Sequence, residues 1–320
     1  MQKQKPKLRL FEKRFDKIQK LGEGQYGKVY KVSNPDDPDN PYLALKKYSS
    51  SLPLGMDITA LREVTILKEI SHENIVKINE LFYSKTSLYI AYEFIDCELS
   101  KIIFDKRFNI TEPIIKNILK QILMGLNQLH KCGVLHRDIK PQNLLVKHNG
   151  TVKIADFGLA RFIASPGKEM TGGVISSWYR PPELFFGAKY YSFGIDIWSV
   201  GCIFGEMVLK DCLFQGNGEI EVLTKIFSLL GIPNNSVWPD YNQLDNMKVF
   251  YQGDVVTIKN KFSSFCEEGT DLLEKMLEMD PNKRISAEDA LKHPFIVSGV
   301  PPASNDEIAS IVEQVKQNKF

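Results

Sequence analysis

The segment His136-Arg137-Asp138-Ile139-Lys140-Pro141-Gln142-Asn143, followed after a short apolar stretch by Asp156-Phe157-Gly158, constrains this chain more than any other. It gathers the groups that phosphoryl transfer asks for. A transferring phosphoryl group needs little covalent help, but it needs metal ions, positive charge and an aligned hydroxyl nucleophile. Asp138 would accept the proton of a substrate hydroxyl, and Lys140 would neutralise the moving phosphate. Asn143 and Asp156 would supply oxygen ligands to Mg²⁺, a hard cation suited to carboxylate and amide oxygens.

Upstream, Gly22-Glu23-Gly24-Gln25-Tyr26-Gly27-Lys28-Val29 follows G-x-G-x-x-G-x-V, in which residues without a Cβ let backbone amides approach phosphates closely. A dinucleotide-binding turn would need a strand before the glycines, a helix straight after and an acidic residue about 20 positions on. Here both flanks alternate like the strands of a hairpin, Ile18 and Leu21 before the loop and Val29 and Val32 after it. Ala44-Leu45-Lys46 then supplies a third-strand lysine for the α- and β-phosphates of ATP. From Gly55 a helical pattern opens, with Ala60, Val64, Leu67 and Ile70 at three- and four-residue steps, and Glu63 would face Lys46.

These motifs resemble those of protein kinases from about Phe15 to Phe295. The Asp57-Ile58-Thr59-Ala60-Leu61-Arg62-Glu63 stretch and the segment from Asp156 to Pro181-Pro182-Glu183 are similar to those of cyclin-dependent kinases. The resemblance implies an α+β bilobal protein kinase fold with a β-rich N-lobe and a mainly helical C-lobe. The expected boundaries are a basic arm at 1–14, an N-lobe at 15–93, a C-lobe at 94–298 and a tail at 299–320. It implies a serine/threonine kinase that uses ATP and Mg²⁺, with a cyclin and an assembly factor as partners. Leu21, Val29, Ala44 and Leu145 would sandwich adenine, Tyr92 would be the gatekeeper, and the backbone at Glu93 and Ile95 would face the base. Thr171, seven residues before Trp178, matches the activating threonine. Its phosphate would draw on Arg62, Arg137 and Arg161 as guanidinium partners. Tyr26 matches an inhibitory phosphorylation site in some members, and Ser165-Pro166 is a second candidate phosphosite.

In this group the arginine at Arg180 engages a backbone carbonyl near Val174-Ile175, which leaves a substrate amide after the acceptor residue without a partner. Proline has no such amide, so the resemblance implies Ser-Pro or Thr-Pro substrates. Glu183 would pair with Arg284, and Asp196 would hold the backbone of the catalytic loop. Thr59-Ala60-Leu61-Arg62-Glu63, Ala164-Ser165-Pro166 and Leu184-Phe185-Phe186-Gly187-Ala188 look most like the CDK-activating subgroup, which has roles in cell-cycle and transcription control. A pseudokinase or scaffold that binds a cyclin-like partner is the alternative, although such chains lose Lys46, Asp138, Asn143 or Asp156, all present here.

With 41 basic and 39 acidic residues, the net charge of +2 argues against a polyanion-binding protein, so direct nucleic-acid contact is not expected. Residues 1–20 depart from this balance, with eight basic against two acidic residues, a local excess of six expected of a solvated, partly disordered arm, with nuclear import or an acidic partner as the second reading. No apolar run approaches the roughly 20 residues of a spanning helix. A soluble chain of nucleus and cytoplasm, with no membrane partner, is expected. Five scattered cysteines without a C-x-x-C pair suit a reducing compartment. Thr111, Thr270 and Ser286 are expected N-caps, and 34–41, rich in Asp, Asn and Pro, is an expected exposed loop.

Overall fold

The computed structural model describes residues 15–24, 27–38, 40–49, 58–83, 87–163, 169–170, 175–239 and 253–317. The chain divides into two compact units, one up to Ile95 and one from Asp96.

The first unit is a sheet of β1 (Lys17–Gly24), β2 (Gly27–Ser33), β3 (Tyr42–Ser49), β4 (Ile78–Tyr83) and β5 (Ser87–Glu93), with the helix α1 (Ile58–Glu69) between β3 and β4. The strand order is β1-β2-β3-β5-β4, and every pairing is antiparallel. Alternation sorts β3 and β5 into two faces. Leu43, Leu45, Tyr89 and Ala91 join Phe15, Val32 and Phe82 in one apolar core, closed by an edge-on contact of Phe15 with Phe82 at 5.2 Å. Ala44, Lys46, Tyr48 and Tyr92 alternate with these residues and so point to the opposite face. Between β2 and β3 the acidic loop is held by its own amides, with Asn34 donating to the Asn40 carbonyl (2.8 Å) and Asn40 donating to Asp37 (3.0 Å).

The second unit is mainly helical. Its short strands are β6 (Cys97–Glu98), β7 (Val134–Leu135), β8 (Leu144–Val146), β9 (Val152–Ile154) and β10 (Arg161–Phe162), paired as β6-β8-β9 and β10-β7. Its helices are α2 (Ser100–Ile103), α3 (Glu112–Lys131), α4 (Pro182–Phe185), α5 (Gly194–Leu209), α6 (Glu219–Leu230), α7 (Ile258–Lys261), α8 (Glu267–Met276), α9 (Ala287–Lys292), α10 (Pro294–Val297) and α11 (Asn305–Gln317). The buried stripe of α3 carries Ile114, Ile118, Leu119, Ile122, Leu126 and Leu129. Helix α5 is buried without interruption from Ile195 to Met207, Asp196, Ser199 and Glu206 included, and it packs against both α3 and α8.

Capping follows the sequence in part. Ser286 accepts the Asp289 amide at 3.0 Å and caps α9, and Thr111 occupies the N-cap of α3 without a side-chain capping bond. Thr270 is no cap. It lies inside α8, whose N-cap is Cys266, and its hydroxyl donates back to the Cys266 carbonyl at 3.0 Å. The acidic pair Glu267 and Glu268 begins the helix earlier, where negative charge favours the N-terminal turn. Cys97 and Cys202 are buried and Cys132 is exposed. Among the described residues, no helix is long and apolar enough to cross a membrane.

Candidate active site

In the first unit, Lys46 Nζ donates to Glu63 Oε2 at 3.2 Å, an ion pair in which both residues are buried. The pair forms because β3 turns Lys46 toward the face opposite the apolar core, and α1 turns Glu63 inward with Ala60, Val64 and Leu67. Glu63 also accepts the hydroxyl of Tyr92 at 2.6 Å on Oε1, and the hydroxyl of Tyr48 on Oε2. Burial, then the Glu63 charge, pushes the Tyr48 phenol far above its usual value, so it remains a donor. Ala44 stands opposite Tyr92 in the β3–β5 ladder, and Val29 opposite Lys46 in the β2–β3 ladder.

The glycine loop gives two different results. A Cβ on Gly27 would stand 2.1 Å from the Lys47 carbonyl oxygen, and Gly27 also has φ +145°, so the fold itself requires glycine there. Around Gly22 there is nothing within 4 Å of such a Cβ. Its glycine answers to no packing demand. Gly24 closes β1 opposite Gly27, and Leu21 is 42% exposed.

In the second unit, the polar groups of the 136–143 segment converge on Asp138. Lys140 Nζ lies 2.7 Å from its Oδ2 and Asn143 Nδ2 2.9 Å from the same oxygen, while Asn143 also donates to the Asp138 carbonyl at 2.8 Å. Ser176 donates to Asp138 Oδ1 at 3.1 Å and accepts from Lys140 at 3.1 Å. The Asn143 amide also carries Oδ1, a hard oxygen of the kind that suits Mg²⁺, as does the carboxylate of Asp156. Asp156 takes a left-handed conformation, φ 60°.

Behind these groups, Asp196 accepts the amides of His136 and Arg137, both at 2.9 Å, and lies 3.1 Å from His130 Nε2. Full burial alone would raise the Asp196 pKa. The hydrogen bond and charge of His130, with the Arg137 amide, outweigh it and hold the carboxyl below its usual value. His136 adds a second tie, with Nε2 3.1 Å from the Ala155 carbonyl and Nδ1 accepting the Asp138 amide at 3.3 Å. Arg137, φ 66°, donates to the Leu159 carbonyl (2.8 Å) and the Tyr191 hydroxyl (3.0 Å). Arg161 opposes Leu135 on the β10–β7 ladder, which brings it to the strand that leads into Arg137. Arg62 lies half-buried on α1 in the first unit. Leu145 lies on β8, opposite Glu98 and Lys153 in register.

Arg180 donates to the Ile175 carbonyl through Nε (3.3 Å) and Nη2 (3.0 Å), and Nη1 reaches Glu219. Ile175 sits at φ 69°, strained for a β-branched side chain, and Arg180 grips its carbonyl. Arg284 meets Glu183 in a two-pronged pair (2.8 and 3.1 Å), and its Nη1 also donates to the Gly194 carbonyl. Thr171, Tyr26 and Ser165 lie outside the described residues, as does the arm at 1–14.

Sequence reasoning missed two partnerships. Nothing in the sequence around Ser176 marks it as the hydroxyl that bridges Asp138 and Lys140. Tyr48 stands two residues after Lys46 on one strand and therefore on the same face, a signal the period of two supplies.

The protein kinase domain family matches residues 15–296. Cyclin-dependent kinase D-1 of Arabidopsis thaliana is 40% identical over 290 residues, covering 90% of this chain and 72% of the relative. Cyclin-dependent kinase 7 of Dictyostelium discoideum is 41% identical over 285 residues, covering 88% and 79%. A chain in the solved CAK complex from Chaetomium thermophilum bound to ATP-γ-S superposes with a TM-score of 0.84 at 36% identity, over 92% of this chain and 95% of that one. The chain belongs to the protein kinase family, among the cyclin-dependent kinases. It is an ATP-dependent serine/threonine protein kinase. The scaffold alternative is not favoured.

Proposed function

We propose that this chain is a cyclin-dependent, proline-directed kinase in which Asp138 takes the proton of the substrate hydroxyl and Lys140 steadies the transferring phosphate. Asn143 and Asp156 would hold Mg²⁺, which when bound neutralises charge on the phosphates. Lys46 grips the α- and β-phosphates, Glu63 orients Lys46, and the open surroundings of Gly22 leave its backbone accessible to the nucleotide. Leu21, Val29, Ala44, Tyr92 and Leu145, with the backbone at Glu93 and Ile95, receive adenine. Phosphorylated Thr171 is bound by Arg62, Arg137 and Arg161. A cyclin docks on α1, a reading supported by the relatives' names and by the exposure there of Ile58 (69%) and Leu61 (37%).

The observation that carries proline direction is Arg180. By taking up the Ile175 carbonyl it removes the acceptor that an ordinary substrate amide would need, and a buried unpaired amide is costly.

The test is an assay with Mg·ATP on paired Ser-Pro and Ser-Ala peptides. One stranded amide corresponds to a preference of about tenfold or more in kcat/KM for Ser-Pro. Asp138→Asn should lower kcat on both peptides by roughly 10²-fold or more. Equal rates on the two peptides would overturn proline direction, and full activity in Asp138→Asn would overturn the assignment of the base.

A further inference from the structure

Ala44 and Lys46 share one face of β3 with Tyr42, the first residue of that strand. Lys31 stands opposite Ala44 in the β2–β3 ladder, as Val29 stands opposite Lys46, and residues directly opposite one another lie on the same face of a sheet. Lys31 and Tyr42 therefore continue the row that Val29, Ala44 and Lys46 begin. They meet there around a third residue. Lys31 Nζ lies 3.7 Å from the centroid of the Tyr42 ring and 4.4 Å from that of Phe94, and the two rings meet edge-on, 6.0 Å apart at 73°. One ammonium thus lies over two rings, each inside the ~6 Å reach of a cation–π contact.

Phe94 gives the cluster its consequence. It follows β5 and stands between Glu93 and Ile95, whose backbone is proposed to face the base. Glu93 is tied from another side, where its amide donates to the Lys77 carbonyl at 3.1 Å and its Oε1 accepts the Lys77 amide at 3.0 Å. A backbone held only at Glu93 would have to be ordered at Phe94 when the base binds, and that ordering weakens affinity. We propose that Lys31 and Tyr42 are positioning residues for adenine: they clasp the Phe94 ring and so fix the backbone of Glu93 and Ile95 that meets the edge of the base. The cluster lies wholly within the first unit. The ring of Tyr42 does the holding, because the ammonium lies over that ring.

The inference rests on the reading of Glu93 and Ile95 as the adenine contacts, and the experiment tells the two apart. Two nucleotides are titrated into the full chain by calorimetry, Mg·ATP and the Mg complex of purine riboside triphosphate, which lacks the 6-amino group. Their Kd values and the melting temperature are measured for wild type, Tyr42→Leu, Tyr42→Phe, Lys31→Met and the Lys31→Met/Tyr42→Leu double. Cation–π and edge-on ring contacts each move an equilibrium by roughly threefold to tenfold, so Tyr42→Leu should raise the Kd for ATP about fivefold and Lys31→Met about threefold. Tyr42→Phe keeps the ring and should bind as wild type does. The double should fall short of the product of the two single effects, since both act through Phe94. Wild type should prefer ATP to purine riboside triphosphate by about fivefold, the size of one hydrogen bond, and Tyr42→Leu should narrow that preference. Should Tyr42→Leu lose its melting transition, Lys31→Met and Tyr42→Phe carry the test. An unchanged Kd for ATP in the single variants, with a lowered melting temperature, would show a merely structural cluster and overturn the proposal. Tyr42→Phe binding as weakly as Tyr42→Leu would overturn it too. If wild type bound the two nucleotides equally, the reading of Glu93 and Ile95 would fall, and the inference with it.

Discussion

Glu206 offers a test of how the second unit handles a buried charge. It lies on α5 at 1% exposure, accepting the Tyr179 hydroxyl at 3.2 Å and the Leu213 amide at 3.4 Å. Burial pushes its carboxyl up to about 8 from the usual 4.5; the two bonds pull against this and the Asp211 charge adds to it. The folded pKa is raised above the unfolded one, so the neutral carboxyl's contribution is fully present below pH 4.5. It is lost as pH rises to about 8, because the unfolded chain ionises first. Each unit of pH in that window costs about 1.4 kcal/mol, or ~3 kcal/mol by pH 7. Glu206→Gln keeps the shape and stays neutral at every pH. The stability difference, variant minus wild type, should therefore be near zero at pH 4.5, rise steadily through neutrality and level off above pH 8. At about 2 °C per kcal/mol for a chain of this size, the variant should melt about 6 °C above wild type at pH 7. Thermal melts of both proteins at unit steps from pH 4.5 to 9 read the curve directly. A difference that stays flat across the series would show that Glu206 is ionised in the folded protein and refute the argument from burial.

Two further outcomes follow from the geometry. Arg284→Ala strands Glu183 in the interior and should cost about 3–5 kcal/mol, read as a drop in the urea midpoint; Glu183→Gln with Arg284→Met, which removes both charges, should recover part of it, and no recovery would mean that the bonds of Arg284 to the Gly194 and Glu278 carbonyls matter more. Gly27→Ala should lower the melting temperature, since its Cβ would collide with the Lys47 carbonyl, whereas Gly22→Ala should leave melting unchanged and raise the KM for ATP; the reverse pattern would show that the two glycines had been assigned the wrong roles.

The sequence by itself determined what depends on local chemistry and spacing. Alternation on both flanks of the glycine loop marked β1 and β2, the steps of Ala60, Val64 and Leu67 marked α1, and Ser286 marked a helix start, because a cap bonds to amides three residues away and needs no distant partner. The groups for phosphoryl transfer were legible because few side chains supply an oxygen ligand or a fixed positive charge, and here they stand close together. Thr270 shows the limit of local reading: a hydroxyl that can cap can equally bond back to a carbonyl inside the helix, and the acidic turn before it decided between them. Only tertiary structure brought Ser176 to Asp138 and Tyr92 to Glu63, pairs separated by 38 and 29 residues. It alone pushes the Glu206 carboxyl up, for desolvation depends on everything packed around a group and on nothing in its immediate sequence.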